Sequence, residues 1–405
     1  MNKNYINSYN KIFKNYDDNY SSNYSSHISN YKNIRDNNEL KDNHPYNIIL
    51  KDIQSILNIE DSTYIENDNL VKKISIEYYP FIYPTNYFNG SIIKYKNELL
   101  LFYRTDNKKQ TTNNWFMESS IHAVQLNQYF EPISENKLIK LNHNTKNWNI
   151  KNVIYQNGNI DIPQHLFLED PRVILWNDNI ILTYTDGYKV YTAILDENLE
   201  VIDEYDYFNR DNNYTLATLK IDKDQREKNW SSFIYDDKLH YIYGLNNNEH
   251  IVLEMHRDNI WDIHRTYCPL ESDHKYKYGG IRGGTPALPF NCGEFENCLI
   301  TFTHSVKKYE IEWTVYIYTM GYYIFKNEPP FEVVGVGSTP LLKPDAFPTL
   351  IDRASQQNLV IFPSGVIRND SNTGYIISFG YHDTYTKLIE VQDTILIHNL
   401  SENII

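Results

Sequence analysis

The chain has 405 residues, of which 41% are hydrophobic and 15% aromatic, so it can bury a large apolar core. Its formal net charge of −14, without any basic stripe, argues against a nucleic-acid partner, because phosphate contacts require clustered Lys and Arg. With no apolar run near the ~20 residues of a membrane helix, no signal-peptide-like segment and only three cysteines, we expect a cytoplasmic protein without a membrane partner.

The N-terminal segment differs in composition from the rest of the chain. Residues 1–45 are dominated by Asn, Tyr, Ser, Lys and Asp without apolar periodicity, which is typical of a disordered or loosely attached arm. Residues 46–75 contain IILKDIQSILNI, whose apolar spacing predicts one short amphipathic helix that caps the following domain. We therefore divide the chain into a partly disordered Asn/Tyr-rich extension, 1–75, and a folded domain, 76–405.

From Ile74 onward the sequence consists of strands and turns, with one unit repeated five times. In each unit a polar or acidic residue opens a β-rich run, a turn rich in Asn, Asp and Gly follows, and a second β-rich run ends on a polar or charged residue. The five units start at Ser91, Asp170, Asn229, Thr285 and Pro363. Hairpins repeated at long intervals are typical of propellers. We predict an all-β, five-bladed β-propeller with a low-complexity N-terminal extension and room for one short helix.

The string LEDPRV, which contains Glu169, Asp170 and Arg172, is the most distinctive in the chain. The proline stiffens the start of the strand, and the arginine can hold a neighbouring acid or an anionic ligand. A carboxyl group held in this way suits general acid catalysis of glycosidic cleavage. An aspartate that closes a turn and pairs with an arginine on the rim explains the spacing equally well.

The other hairpins also carry polar residues at their ends, and a propeller would bring equivalent ends together near its axis. The residues concerned are Asn89, Ser91, Arg104, Lys228, Asn229, Arg282, His304, Ser305, Tyr381, His382 and Asp383. The two glycines of RGGTP would allow the backbone to approach a ligand closely. We expect no metal site, because the five histidines between residues 240 and 274 lack the close spacing of a zinc site. These are His240, His250, His256, His264 and His274.

Five strings in order resemble the signatures of a known enzyme family. They are NGSI…LLLFYR, EDPRV…TYTDG, KNWSSFIYDDKLHYIYG, GGTPAL…LITFTHS and FPSGV…GYIISFGYHD. Over about residues 86–395 they are similar to the signatures of glycoside hydrolase family 130 and of the related five-bladed mannoside phosphorylases and propeller-type β-mannosyltransferases. EDPR is the most specific of these elements. Gly90 departs from the pattern, since the family usually has proline there.

The resemblance implies a role for each matching residue. Asp170 would be the catalytic acid, acting through a hydroxyl of the sugar, and Arg172 would orient it. The residues implied to bind the substrate are Asn89, Ser91, Arg104, Arg172, Lys228, Asn229 and Asp383. Those implied to bind phosphate are His304, Tyr316 and Arg226, with Tyr318 and Arg210 as alternatives to the last two.

We therefore expect an inverting carbohydrate-active enzyme, a glycoside phosphorylase or hydrolase, that cleaves or forms a β-mannoside-like bond in an oligosaccharide or sugar phosphate. Inorganic phosphate is the one co-substrate considered, and no other cofactor is expected. Two alternatives stay open: a propeller-type β-mannosyltransferase that uses a sugar phosphate or nucleotide sugar, and a non-catalytic propeller that binds sugar or protein. The sequence does not distinguish water, phosphate and an acceptor sugar as the nucleophile.

Overall fold

Strands form nearly all of the regular structure in this computed structural model. It describes residues 71–75, 86–110, 115–141, 154–155, 158–159, 168–186, 190–206, 228–246, 249–255, 262–268, 278–293, 295–310, 314–344, 358–381, 383 and 385–400. All of them belong to the compact unit Ser62–Ile405, whereas the other unit, Met1–Asp61, lies outside the described residues. The predicted arm 1–45 and the helix predicted within 46–75 therefore lie outside them as well, apart from 71–75.

The strands are numbered β1 to β24 in chain order and form five antiparallel blades. Blade I contains β2 (Asn86–Tyr95), β3 (Glu98–Gln110), β4 (Trp115–Leu126) and β5 (Lys137–Leu138). Blade II contains β8 (Glu169–Trp176), β9 (Asn179–Thr185), β10 (Val190–Leu195) and β11 (Val201–Asp206). Blade III contains β12 (Ser231–Tyr235), β13 (Lys238–Asn246), β14 (Glu249–Glu254) and β15 (Asp262–Tyr267).

The last two blades are more elaborate. Blade IV contains β16 (Gly280–Gly284), β18 (Phe295–Glu310), β19 (Thr314–Lys326) and β20 (Val333–Val336), with β17 (Leu288–Cys292) paired to β18 and β21 (Asn358–Leu359) paired to β19. Blade V contains β22 (Ile361–Arg368), β23 (Gly374–Tyr381), β24 (Tyr385–Gln392) and β1 (Val71–Ser75). A small separate hairpin is formed by β6 (Ile154–Tyr155) and β7 (Gly158–Asn159).

Blade V is built from both ends of the propeller sequence. Strand β1 pairs antiparallel with β24, from Val71 opposite Val391 to Ser75 opposite Lys387. Blades V and I also meet through a parallel bridge between Tyr87 and Tyr385. The ring is therefore closed by backbone pairing between an early strand, β1, and the last strand, β24.

Local sequence explains the hairpins. The β8–β9 turn has Asn177 and Asp178 at φ 49° and 60°, and the β12–β13 turn has Asp236 and Asp237 at φ 48° and 55°. Two consecutive residues at positive φ define a type I′ turn, whose twist matches that of the flanking strands, and Asn and Asp tolerate this conformation. The strands that follow are apolar and β-branched, as in the buried NIILTYT run of β9.

The core lies between neighbouring blades rather than within one blade. Phe102 of blade I and Leu182 of blade II belong to one buried cluster, and Phe302 of blade IV and Ile377 of blade V belong to another. These faces pack as stacked sheets do, by interdigitating their apolar side chains. The predicted all-β, five-bladed propeller is confirmed.

The described residues contain one helix, α1 (Asp393–His398), near the end of the chain. It lies outside the segment in which the sequence predicted a helix. No helix in the described part of the chain combines the length and apolarity needed to cross a membrane.

Candidate active site

The first strands of the blades pack against one another around the axis, with β8 in contact with β2, β12 and β22. In β2 the pairing passes from Phe88 opposite Arg104 to Ser91 opposite Phe102, so one extra residue is inserted. Similar β-bulges interrupt the pairing in three other first strands, β8, β16 and β22. A bulge bends a strand and redirects a side chain, and such bulges are frequent beside active sites.

Three polar residues occupy equivalent positions at the start of blades I, II and III. Asn89, Asp170 and Asn229 have φ values of 52°, 56° and 67°, in the left-handed region. Asn and Asp adopt this conformation more readily than other residues with a side chain. The left-handed backbone thus explains why Asn and Asp recur here. It also points their side chains away from the directions that regular strand alternation would give them.

Asp170 is held by a hydrogen bond from the neighbouring blade. Asn89 Nδ2 donates to Asp170 Oδ1 at 2.8 Å, and Arg104 Nη1 lies 3.9 Å from the same oxygen. Asp170 is buried. Within the described residues no hydrogen bond reaches its second oxygen, Oδ2. The carboxyl group is therefore fixed through one oxygen while the other is available for a proton or a substrate hydroxyl.

Two glycines permit this close packing. A Cβ at Gly380 would lie 1.7 Å from Asn89 Oδ1, and a Cβ at Gly283 would lie 1.7 Å from the Asn229 carbonyl oxygen. In the structure, Gly283 and Gly284 meet protein backbone, the carbonyls of Asn229 and Phe302. The expectation that the glycines of RGGTP let the backbone approach a ligand stays a prediction.

Charged residues form a network around the acid. Arg104 donates to both oxygens of Asp106, from Nε at 2.7 Å and from Nη2 at 3.0 Å, and its Nη1 lies 3.4 Å from Glu169 Oε1. Lys228 Nζ donates to Glu169 Oε2 at 2.6 Å. Burial alone would lower the pKa of Arg104, but Glu169, Asp106 and Asp170 raise it overall. Arg104 is therefore a permanent cation beside Asp170.

Arg172 joins three blades beneath the site. Its Nε donates to the Gly284 carbonyl at 2.5 Å, its Nη1 to the Asp170 carbonyl at 3.2 Å, and its Nη2 to Asn229 Oδ1 at 3.2 Å. Its guanidinium also lies over the ring of Phe362. Burial lowers the pKa of Arg172 to about 10, against the opposing effect of Asp170. The contact with Asp170 is made through the backbone, so Arg172 positions the main chain that carries the acid.

Ser91 does not join this group. Its side chain is completely buried, and its Oγ accepts a hydrogen bond from the Val173 backbone N–H at 3.1 Å. The hydroxyl thus links β2 to β8. The structure places Ser91 between two blades, and its role in substrate binding stays a prediction.

A second group of residues, the Arg282 cluster, consists of Arg282, His304 and Tyr318. Arg282 is paired across the sheet with His304, whose ring stacks on Tyr318 with centroids 5.8 Å apart. Arg282 is exposed, and its guanidinium makes no hydrogen bond or ion pair with any described residue. Tyr316, the tyrosine chosen from the sequence, precedes Tyr318 by two residues on β19, so the stacking favours Tyr318 as the partner of His304.

The Arg282 cluster shares its electrostatic environment with Asp170. Burial lowers the pKa of His304 to about 3, assisted by the positive charges of Arg282 and Arg172 and opposed by Asp170. The imidazole is therefore neutral at neutral pH. Burial raises the pKa of Tyr318, which also senses Arg282, Asp383 and Asp170.

Asp383 contributes a further carboxyl group from blade V. It is partly buried at φ 48°. Burial raises its pKa to about 6, reinforced by Asp170, Glu169 and Asp106 and opposed by Arg104. Asp383 therefore lies within electrostatic reach of the acid, and the two carboxyl groups disfavour each other's ionisation.

This raised pKa predicts how Asp383→Asn changes stability with pH. The folded chain holds the proton of Asp383 more tightly than the unfolded chain, so its stabilising contribution is complete below about pH 4 and is lost as the pH rises to about 6. Asn cannot ionise, so between these limits the free energy of unfolding of the variant should rise by about 3 kcal/mol relative to that of wild type. Thermal unfolding at pH 4 to 8 measures this change as a gap of a few degrees between the melting temperatures of the variant and wild type. A gap that does not vary with pH would contradict the assignment.

The structure adds residues that sequence reasoning left out of the site. Asp106 and Glu169 hold Arg104 and Lys228 in place, although neither was assigned a role. Asp106 follows Arg104 by two residues, which puts both side chains on one face of β3, and this spacing was a usable signal. Three predicted or alternative site residues lie outside the described residues, namely Arg210, Arg226 and His382.

Comparison with solved structures finds one with a TM-score above 0.5, which agrees with the fold. A β-1,2-mannobiose phosphorylase from Listeria innocua, in complex with β-1,2-mannobiose, has a TM-score of 0.53 and 14% identity, covering 82% of this chain and 99% of its own. A mannose phosphorylase from Leishmania mexicana, in complex with a phosphate ion, has a TM-score of 0.43 and 12% identity over 83% and 92% of the two chains. A GDP-Man-dependent mannosyltransferase from the same organism has a TM-score of 0.39 and 12% identity over 76% and 86%.

Sequence comparison gives the family. No curated protein matches the chain. The family model described as β-1,4-mannooligosaccharide phosphorylase matches residues 59–401, which include the whole propeller and the network around Asp170. The propeller, the acid of the EDPR string and this match lead to one conclusion: the chain belongs to glycoside hydrolase family 130.

Proposed function

We propose that this protein is an inverting glycoside phosphorylase that acts on a β-mannoside-like bond, with Asp170 as the general acid. One observation carries the proposal. A buried acid held through one oxygen and an exposed arginine, Arg282, both lie within electrostatic reach of His304, and Arg282 has no ion-pair partner among the described residues. An acid and a separate anion-binding group are the two components that phosphorolysis requires.

The proposed reaction is a single displacement. A phosphate oxygen attacks the anomeric carbon from the face opposite the glycosidic oxygen, and the bond from that carbon to the glycosidic oxygen breaks. The leaving oxygen gains a proton from Asp170, relayed by a sugar hydroxyl as the resemblance implies. The products are an α-sugar 1-phosphate and a saccharide shortened by one residue. The proton lost by Asp170 is restored in the reverse reaction or from solvent.

The surrounding residues fit the sugar-binding side of this scheme. Arg104 is held by Asp106 and Glu169, so it is preorganised to donate to sugar oxygens without changing its own position. Lys228 is fixed in the same way by Glu169. Asn89 and Asp383 flank the acid from two other blades. Asn229 is engaged by Arg172, which assigns it a supporting role.

The Arg282 cluster fits the phosphate side. The guanidinium matches two phosphate oxygens in a bidentate manner, and the hydroxyl of Tyr318 and the neutral imidazole of His304 supply further donors. Arg226, which the sequence offered for this role, stays a prediction.

Arg282→Gln tests this assignment. Loss of one charge-assisted hydrogen bond costs about 1.5–3 kcal/mol, so we expect the KM for phosphate to rise at least about tenfold. The KM for the saccharide should change much less. Steady-state kinetics with each substrate varied in turn measure both constants. The matched control is Arg265→Gln on β15, an exposed arginine paired with Glu249 away from the first strands. Equal phosphate KM values in both variants would show that Arg282 does not bind phosphate.

Hydrolysis is the second candidate, and Asp383 is the observation that favours it. A second carboxyl group near the acid could deprotonate water for attack on the anomeric carbon, as in inverting glycosidases. Incubation of short β-mannosides with and without inorganic phosphate separates the two reactions. Phosphate-dependent formation of mannose 1-phosphate supports the proposal, and phosphate-independent release of mannose supports hydrolysis. A further mixture contains GDP-mannose, and turnover in that mixture alone would favour the transferase. No turnover in any mixture would favour the non-catalytic propeller.

A further inference from the structure

Three side chains with metal-ligating atoms meet on blade III, outside the candidate active site. His240 on β13 lies directly opposite Glu254 on β14, and His264 lies on the adjacent strand β15, opposite Val252. One nitrogen of each histidine and one carboxylate oxygen all lie within 4.8 Å of one another. Their spacing in sequence gave no sign of this, because antiparallel pairing and not local sequence brings them together.

The two imidazole nitrogens that face this cluster have no hydrogen-bond partner among the described residues. His240 Nε2 and His264 Nε2 are both buried. They lie 3.7 Å and 3.8 Å from Glu254 Oε2, beyond hydrogen-bond distance. A buried polar atom without a partner carries a desolvation cost that a bound ligand would remove.

The groups behind the cluster are arranged as in metal sites. His240 Nδ1 lies 3.1 Å from the Lys238 carbonyl, so it carries the proton and Nε2 presents its lone pair. Lys238 Nζ donates to Glu254 Oε1 at 2.6 Å, which orients the other oxygen toward the histidines. The ring of Phe331 lies 5.4 Å and 5.2 Å from the two imidazoles and shields them.

The distances suit a small transition-metal ion. In a tetrahedral zinc site with bonds of about 2.0–2.1 Å, ligand atoms lie about 3.3 Å apart. The two nitrogen–oxygen distances here exceed this by only a few tenths of an ångström, and all three atoms lie within 4.8 Å of one another, so side-chain rotations would bring them to the ion. The His264 side chain is 24% exposed, so the cluster lies near the surface, and a water molecule would supply the fourth ligand.

We propose that His240, Glu254 and His264 form a zinc site that ties together strands β13, β14 and β15 of blade III. Two imidazoles and one carboxylate are ligands that favour Zn²⁺ over Mg²⁺ or Ca²⁺, which prefer oxygen ligands. The site supports the blade and takes no part in the displacement at Asp170.

Metal binding by the full-length chain tests the proposal. Protein stripped with a chelator and then equilibrated with Zn²⁺ should retain one more equivalent than His264→Gln, as measured by elemental analysis after dialysis. In competition with a chromophoric chelator, this variant should bind that equivalent at least about tenfold more weakly. Zn²⁺ should raise the melting temperature of wild type more than that of the variant, and Ca²⁺ should not.

The matched control is His398→Gln on α1, which removes a histidine outside the cluster and should behave as wild type. His264 is the informative position because it is partly exposed, whereas substitution of the fully buried His240 could prevent folding. Co²⁺ adds a second measurement, since tetrahedral cobalt absorbs visible light and His264→Gln should lose that band. Equal zinc stoichiometry and affinity in wild type and His264→Gln would overturn the proposal, as would a wild type that binds no zinc.

Discussion

Asp170→Asn is expected to lower turnover of an unactivated β-mannoside by a factor of about 10² to 10⁴, the usual contribution of a general acid. The amide cannot donate the proton that the leaving oxygen requires. The fold should persist, because Asn also adopts the left-handed conformation at this position and its Oδ1 can accept the hydrogen bond from Asn89 Nδ2. Phosphorolysis rates and thermal unfolding of the same preparation measure both effects.

The nature of the leaving group makes this test specific to acid catalysis. A dinitrophenyl mannoside departs as a stable anion and needs little protonation, so its turnover should fall much less in Asp170→Asn than that of a mannobiose. The matched control is Asp370→Asn, since the Asp370 side chain is 93% exposed and pairs with Lys94 at the surface. If both substrates lost activity equally, Asp170 would act in binding or folding instead. Near-wild-type activity would refute its role.

Removal of residues 1–75 is expected to abolish cooperative folding or to lower stability severely. This truncation deletes β1, whose five residues pair with β24 and complete blade V. At about 1 kcal/mol of net stabilisation for each backbone hydrogen bond, the loss is of the order of several kcal/mol, comparable to the whole stability of many domains. It also exposes the backbone of β24 as an unpaired edge, which favours aggregation.

A chain that begins at residue 59, where the family match begins, is the matched control. It lacks most of the Asn/Tyr-rich segment but keeps β1. Size-exclusion chromatography and thermal unfolding of the two truncated chains compare them directly. Equal stability would show that β1 is dispensable. The division of the chain at residue 75 stays a prediction, and this pair of truncations tests it.

Sequence reasoning succeeded where the determinants are local. Turn pairs such as Asn177–Asp178, followed by apolar β-branched runs, specify a hairpin within about fifteen residues. Five such hairpins gave the fold, and the polar residue at the start of each pointed to the axis. The prediction of Asp170 rested on such a start together with the EDPR string.

The remaining features depend on which strands become neighbours. Nothing in the composition of VKKIS shows that β1 pairs with β24, more than 300 residues away. The hydrogen bond from the Val173 N–H to the Ser91 hydroxyl follows from how blades I and II pack. The same holds for the meeting of His240 and His264, which hairpin spacing cannot reveal. Non-local packing of this kind leaves no periodic trace in a single sequence.

The left-handed backbone positions at Asn89, Asp170 and Asn229 have a consequence for how such a site could arise. At these three positions the backbone accepts Asn or Asp before any chemistry is considered. Asn and Asp side chains differ by the exchange of one nitrogen for one oxygen, and their codons differ by one nucleotide. A single nucleotide substitution at this position of a duplicated hairpin would therefore place a carboxyl group at the axis. The propeller thus provides several equivalent backbone positions for a proton donor. The donor could move from one blade to another during evolution without a change of fold.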